Sequence, residues 1–320
     1  MISYDSPILV FGAGSIGERH IEILQKLGYH NIWVYRQRNL PLRNISPDTV
    51  KIITDLTCIP DINPAAAVIC SPTSQHLEQT LLCIDHGIPV LVEKPLSHTT
   101  DGLDQLKSLI MQKKVLVKVA YMLRYHPFFQ KIKRIAESGE AGNLLSLQSY
   151  WGEYLPDWHP WEDFRSSYAA KKQLGGGAAL TLSHDLDLIN WLASSAVTNW
   201  NTIKNYRSAL EVSVEAGADI LVSYQNGITA HAHVNFFEKS PRRWYRFVFE
   251  NASFEIDYFK TEMMVFRPGK DTEVTRDIFF ERNQMFEAQT LDFLRSIDHP
   301  ETNYLKSVTE AEQVIKMCGP

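Results

Sequence analysis

The sequence predicts an α/β chain in two parts: an N-terminal doubly wound parallel sheet, then a C-terminal α+β domain with a large, open, mostly antiparallel sheet. Three observations predict it. Over residues 1–121 short apolar runs alternate with amphipathic helical stretches, and a glycine-rich turn joins the first run to the first helix; beyond Tyr121 the pattern changes to long two-residue alternation broken by hairpin turns. The domains are set at 1–121 and 122–320, and 320 residues suffice for two cores.

Ile8, Leu9, Val10 and Phe11 form a short apolar run rich in strand formers. Gly12, Gly14 and Gly17 follow as G-x-G-x-x-G, with Ile16, Ile21, Leu24 and Leu27 at helical spacing behind them. Strand, glycine turn and helix in that order predict a dinucleotide site. Gly12 permits the turn, Gly14 has no Cβ to block a pyrophosphate, and Gly17 lets helix and strand approach; Ser15 and Ile16 open the helix whose free N–H groups face phosphate oxygens. Asn31 to Tyr35 reads as the second strand, and about twenty residues past the last glycine the expected ribose-binding acid is replaced by Arg36 and Arg38. Two guanidiniums suit a 2′-phosphate, so NADP is favoured over NAD; a solvated loop is the alternative.

Strands follow at Val50 to Thr54, Ala65 to Cys70, Pro89 to Val92 and Val115 to Ala120. Helices lie between them from Ser74 to His86, closed by Gly87, and from Thr99 to Lys113. Beyond a helix over Pro127 to Ser138, Leu144 to Tyr154 and Ala218 to Phe237 alternate as strands, the second folded at Asn226-Gly227. Trp244 to Phe249 and Ser253 to Tyr258 repeat that form, and helices from Asn283 to Ile297 and Ser307 to Cys318 close the chain. Alternating residues as aromatic as Trp244, Phe247, Phe249, Phe254 and Tyr258 predict a sheet covered by helices on one face and partly by another subunit on the other, hence a homodimer or homotetramer.

Composition narrows the partners. Hydrophobic residues at 44% and charged residues at 22% exclude a mainly disordered chain, and a net charge of −5 without a Lys/Arg stripe argues against nucleic acid. Cys58, Cys70, Cys83 and Cys318 show no C-x-x-C and no grouping with histidine, so reduced thiols and no metal are expected. The sequence has no apolar run of about 18 residues, and Asp5 interrupts the first residues; the expectation is a cytoplasmic protein with no membrane contact.

Two further motifs carry chemistry: Glu93, Lys94 and Pro95 at the end of the fifth strand, and Gly175, Gly176 and Gly177 running through Thr181 to His184, Asp185 and Asp187. Lys94 at a parallel strand's carboxyl end is a proton-transfer candidate, because burial beside a nicotinamide disfavours its charged form. His184, with a near-neutral intrinsic pKa, can exchange a hydroxyl proton as hydride leaves carbon. A surface lysine and a helix-face histidine are the plainer alternatives. Between the motifs runs a loop rich in aromatic and charged residues, with Trp158, His159, Arg165 and Tyr168, suited to stacking on and hydrogen-bonding a sugar; a loop packed on its own domain or across a subunit contact is the alternative. Tyr121, Arg124 and His126 are expected to face the same cleft.

Taken together, the glycine fingerprint, S-P-T-x-x-H at Ser71 to His76, E-K-P, and G-G-G with a downstream H-x-x-D resemble the Gfo/Idh/MocA family of glucose-fructose oxidoreductase and inositol dehydrogenase, over essentially the whole chain. The long loop resembles a branch found with bacterial surface-polysaccharide and nonulosonic-acid sugar genes. The resemblance implies an NAD(P)-dependent oxidoreductase acting on a secondary alcohol or ketone of a sugar. It also implies cofactor contacts at Ser71, Pro72, Thr73, His76, Glu93, Lys94 and Pro95, a cis bond before Pro95, catalysis by Lys94 and His184, and substrate contacts that include His184 and Asp185. The chain departs from the family where an Asp usually stands four residues before the histidine: here that residue is Leu180, and Asp185 or Asp187 is left to orient His184. Two other readings stay open, a non-catalytic NADP-binding sensor and an imine or pyrrole reductase.

Overall fold

Four-residue runs buried along their whole length make the centre of the first sheet. In the computed structural model, which describes residues 2–37, 41–158, 160–299 and 303–319, the N-terminal elements are β1 (Ile8–Phe11), α1 (Ser15–Lys26), β2 (Ile32–Tyr35), β3 (Lys51–Ile53), α2 (Ile59–Ile62), β4 (Ala66–Ile69), α3 (Thr73–Asp85), β5 (Val90–Glu93), α4 (Leu103–Lys113) and β6 (Val117–Ala120). The strands are all parallel in the order β3-β2-β1-β4-β5-β6, the doubly wound arrangement that brings the carboxyl ends of β1 and β4 together at the reversal of strand order. Ile8 to Phe11 and Ala66 to Ile69 are fully or almost fully buried, because helices cover both faces of such a sheet.

The second unit holds α5 (Pro127–Ser138), β7 (Leu144–Tyr154), α6 (Ala178–Thr181), α7 (His184–Ala193), β8 (Val197–Asn205), β9 (Gly217–Tyr224), β10 (Thr229–Asn235), β11 (Phe237–Phe249), β12 (Ser253–Asp257), β13 (Glu262–Phe266) and β14 (Glu273–Arg276). Its eight strands run β14-β13-β12-β11-β7-β10-β9-β8. All neighbours are antiparallel except β7 and β10. The expected hairpin at Asn226-Gly227 joins β9 to β10, with Gly227 at φ +84°.

Two expectations are corrected here. After β14 the chain forms α8 (Arg282–Asp298) and α9 (Lys306–Cys318), and residues 286–313 join the compact unit built from residues 1–120, so the two units are not two continuous halves. Lys118 shows how α8 is held: its ammonium reaches Asp292 at 2.7 Å and Ser296 at 2.7 Å. The second correction concerns the antiparallel sheet. Phe247 pairs directly with Phe254, and both lie with Tyr245 and Phe249 on the buried face. The open face carries Trp244 among Gln148, Arg246, Glu255 and His231, so its aromatic load is smaller than the sequence suggested. No helix among the described residues is long and apolar enough to cross a membrane.

Candidate active site

Gly12, at φ +87°, turns the chain out of β1, and its N–H is held by the Tyr35 carbonyl at 2.9 Å. A Cβ on Gly17 would lie 2.1 Å from the Gly12 carbonyl oxygen, so helix and turn touch backbone to backbone. Gly14 is different: a Cβ there would meet no heavy atom within 4 Å. Gly14 and Ser15 are exposed, with Ile16 half-buried. An accessible run of N–H groups at the positive end of a helix fits a dinucleotide pyrophosphate. Arg36 is half-buried just past β2; Arg38 lies outside the described residues.

Behind this cradle, several residues grouped with the cofactor in the sequence reading are internal braces. His76 is buried, with Nε2 2.8 Å from the Ser71 carbonyl and Nδ1 2.8 Å from the Pro95 carbonyl, so one ring ties the S-P-T turn to the E-K-P turn. Burial pushes its pKa below the ordinary histidine value, although two carbonyl acceptors favour the doubly protonated ring. Thr73 is buried and Pro72 exposed, and Ser71 Oγ donates to Gln79 at 2.6 Å. Glu93 is buried as well, its carboxylate meeting His20 Nε2 at 2.9 Å and the Lys94 N–H at 3.2 Å. Burial raises its pKa, but the His20 hydrogen bond and the charges of His20 and Lys94 outweigh that and leave it lowered. Lys94 follows, half-buried, and its bond to Pro95 is cis. His20, three residues past Gly17, was not anticipated; its signal was a histidine one helical turn beyond the glycines.

The second unit organises His184. Gly176 and Gly177 are required by packing: a Cβ on Gly176 would lie 2.5 Å from the carbonyl oxygens of Tyr168 and Ala169, and one on Gly177, at φ +113°, 2.4 Å from Glu215 Oε1. Glu215, also missed in the sequence, is buried against the α6 N-terminus and accepts from Ala179 N–H at 3.3 Å. Burial raises its pKa. His184 opens α7 at 5% exposure, its ring between Tyr121, edge-on at 6.1 Å, and Trp151, tilted at 6.4 Å. Leu180 and Thr181 are buried.

Neither acidic candidate for orienting His184 is turned toward solvent. Asp187 takes a two-pronged contact from Arg124, 2.9 Å to Nε and 2.5 Å to Nη2, which also occupies the guanidinium expected at substrate. Asp185 is fully buried on Arg243, 2.5 Å from Nη2. His126 is likewise internal: its Nδ1 accepts from Phe128 N–H at 3.2 Å as the cap of α5, and its ring is boxed by Phe129, Tyr258 and Phe280. Trp158 packs edge-on against Phe236 at 5.5 Å, so this part of the loop rests on its own domain. Trp161 and Tyr168 are exposed, Arg165 pairs with Asp163 and Glu211, and His159 lies outside the described residues.

Burial, with Arg243 adding, pushes the His126 pKa from 6.5 down to about 3. The unfolded chain therefore takes up a proton below about pH 6.5 that the folded protein refuses until about pH 3, so stability is full at neutral pH and falls as pH drops through that window. At about pH 5 the loss from this residue is about 2 kcal/mol. His126→Asn, which keeps a capping acceptor but cannot titrate, should flatten the decline in chemical-denaturation curves between about pH 7.5 and 5. Equal slopes in the two proteins would refute the assignment.

Known proteins match both units. The family model described as "Oxidoreductase family, NAD-binding Rossmann fold" matches residues 7–121, and "GFO/IDH/MocA C-terminal domain" matches residues 129–255. The chain is 28% identical over 198 residues to the Bacillus subtilis protein named "Uncharacterized oxidoreductase YrbE", covering 59% of this chain and 54% of that one. It is 25% identical over 213 residues to inositol 2-dehydrogenase of Rhodococcus erythropolis, covering 64% and 58%. The chain thus spans little more than half the length of these curated relatives. In fold it resembles the solved UDP-N-acetylglucosamine 3-dehydrogenase GnnA of Acidithiobacillus ferrooxidans, with a TM-score of 0.79 at 16% identity over 99% of this chain and 96% of that one. With the glycine-turn domain and most of the domain that carries His184 both matched, the protein belongs to the Gfo/Idh/MocA oxidoreductases.

Proposed function

We propose that the protein is a nicotinamide-dependent oxidoreductase acting on a secondary alcohol, or the matching ketone, of a sugar or sugar derivative. The observation that carries this reading is one chain holding both an accessible glycine cradle at Gly14 and Ser15 and a half-buried Lys94 directly past the carboxyl end of β5. The N–H groups of residues 14–17 would hold the pyrophosphate, Arg36 the ribose end, and the Ser71-Pro72 turn and Lys94 the nicotinamide side. A nicotinamide held there would supply the hydride acceptor for oxidation and the hydride donor for reduction. Lys94 would take the hydroxyl proton in oxidation and restore it in reduction, and His184, whose imidazole is flanked by the rings of Tyr121 and Trp151, is the second candidate for proton exchange. Trp161, Arg165 and Tyr168, exposed in the loop that precedes the glycine turn in sequence, suit a sugar's apolar face and hydroxyls. The chain's likeness to inositol 2-dehydrogenase supports the substrate class.

NADP is the favoured nucleotide because Arg36 offers a cation where an acid would hold ribose hydroxyls. Arg36→Asp should weaken NADP binding by about tenfold or more while NAD gains relative to it. Nucleotide titration followed by nicotinamide absorbance against a panel of sugars, inositols and nucleotide sugars tests both points. Tight nucleotide binding with no turnover would favour the sensor reading, which Leu180 in place of the family's Asp supports. Association of copies through the open face of the antiparallel sheet is proposed with it, and sedimentation showing only monomer at micromolar concentration would remove that part.

A further inference from the structure

Arg243 is a charged residue in phase with Tyr245, Phe247 and Phe249 on the buried face of β11, and its side chain is only 3% exposed. Three contacts hold it. Nη2 reaches Asp185 at 2.5 Å, Nε donates to Tyr245 Oη at 2.6 Å, and the guanidinium lies 3.6 Å from the centroid of Trp151, its partner in the strand register. Tyr258 offers a further ring face at 4.7 Å. Two of these contacts are to the immediate surroundings of His184: Asp185 is the next residue, and Trp151 is one of the two rings beside the imidazole. The second oxygen of Asp185 is buried without a hydrogen-bond partner among the described residues, so Arg243 supplies most of what compensates that carboxylate.

We propose that Arg243 is the positioning residue for His184, clamping Asp185 and Trp151 at once so that the imidazole is held in one orientation for proton exchange. Arg is needed because its planar fork can meet a carboxylate, a hydroxyl and a ring face together, which an ammonium cannot. The other titratable groups around the clamp are Tyr245, Tyr258, His126 and Glu153. The role rests on the proposed proton transfer at His184, but its geometry can be tested apart from turnover.

The test is Arg243→Lys, which keeps the charge and loses the fork, read in two ways. The first is the titration of the His184 Cε1–H resonance in the full-length protein, assigned by comparison with His184→Gln. The midpoint should move by about half a pH unit or more, or the resonance should split into slowly exchanging forms. The second, with whichever sugar the wild type turns over, is a kcat lower by about ten- to a hundredfold with nucleotide KM unchanged and a displaced pH profile. If the wild type turns over no sugar, the functional reading fails and the resonance alone decides the clamp. Tyr245→Phe, which removes one oxygen, is the milder variant should Arg243→Lys not fold, and its His184 resonance should move in the same direction. Loss of thermal stability with His184 titrating as in the wild type would make Arg243 merely structural and overturn the proposal.

Discussion

Replacing Lys94 with alanine should lower kcat by about a hundred- to ten-thousand-fold while nucleotide affinity stays within about threefold. The asymmetry follows from where the lysine sits. Lys94 is past the end of β5, whereas the accessible N–H groups that would carry the pyrophosphate belong to the turn after β1, and the substitution leaves that turn and the α1 N-terminus intact. The backbone at residue 94 is also held independently of its side chain, through Glu93 with His20 and through Pro95 with His76. His184→Ala should lose a comparable factor if both side chains serve one proton path. The double variant should then be scarcely slower than either single one, because groups acting as a unit are not additive. Stopped-flow measurement of nicotinamide reduction, with nucleotide binding followed by fluorescence, separates the chemical step from affinity. A Lys94→Ala enzyme within about threefold of wild-type kcat would end the proposed role.

Gly17→Ala should destabilise the N-terminal unit by about 3 kcal/mol or more and abolish nucleotide binding with it. The new methyl carbon would lie 2.1 Å from the Gly12 carbonyl oxygen and 2.9 Å from its carbon. Both are backbone atoms that cannot yield, since Gly12 is held at φ +87° and hydrogen-bonded to Tyr35. Gly14→Ala is the contrasting variant. With no heavy atom within 4 Å of the added carbon, its stability should change by no more than about 1 kcal/mol, while nucleotide affinity falls by about tenfold or more because the methyl occupies the approach to the turn. Thermal unfolding and nucleotide titration of the two variants decide it, and a Gly17→Ala protein that melts and binds like the wild type would contradict the backbone contact.

What the sequence determined by itself was set by local rules. Apolar runs bounded by turns specify the parallel strands, because strands covered on both faces must be apolar throughout. Gly12 and Gly17 could be assigned their tasks before any coordinates, as could the α5 limits at Pro127 and Ser138 and the hairpin at Asn226-Gly227, because φ preference and periodicity act within a few residues. The tertiary structure decided which polar groups reach solvent and which brace one another. His126, His76 and Asp185 have the composition of ligand-facing residues, yet each is buried. Arg243 meets Asp185 across 58 residues only because strand register sets it beside Trp151 and α7 packs on that face. Even the phase of Arg243 among Tyr245, Phe247 and Phe249, which is legible in the sequence, says only that a charge is buried and leaves open which carboxylate compensates it. That choice is made by packing between elements distant in the chain, where the desolvation of a charge is relieved by whichever partner the fold brings within hydrogen-bond reach.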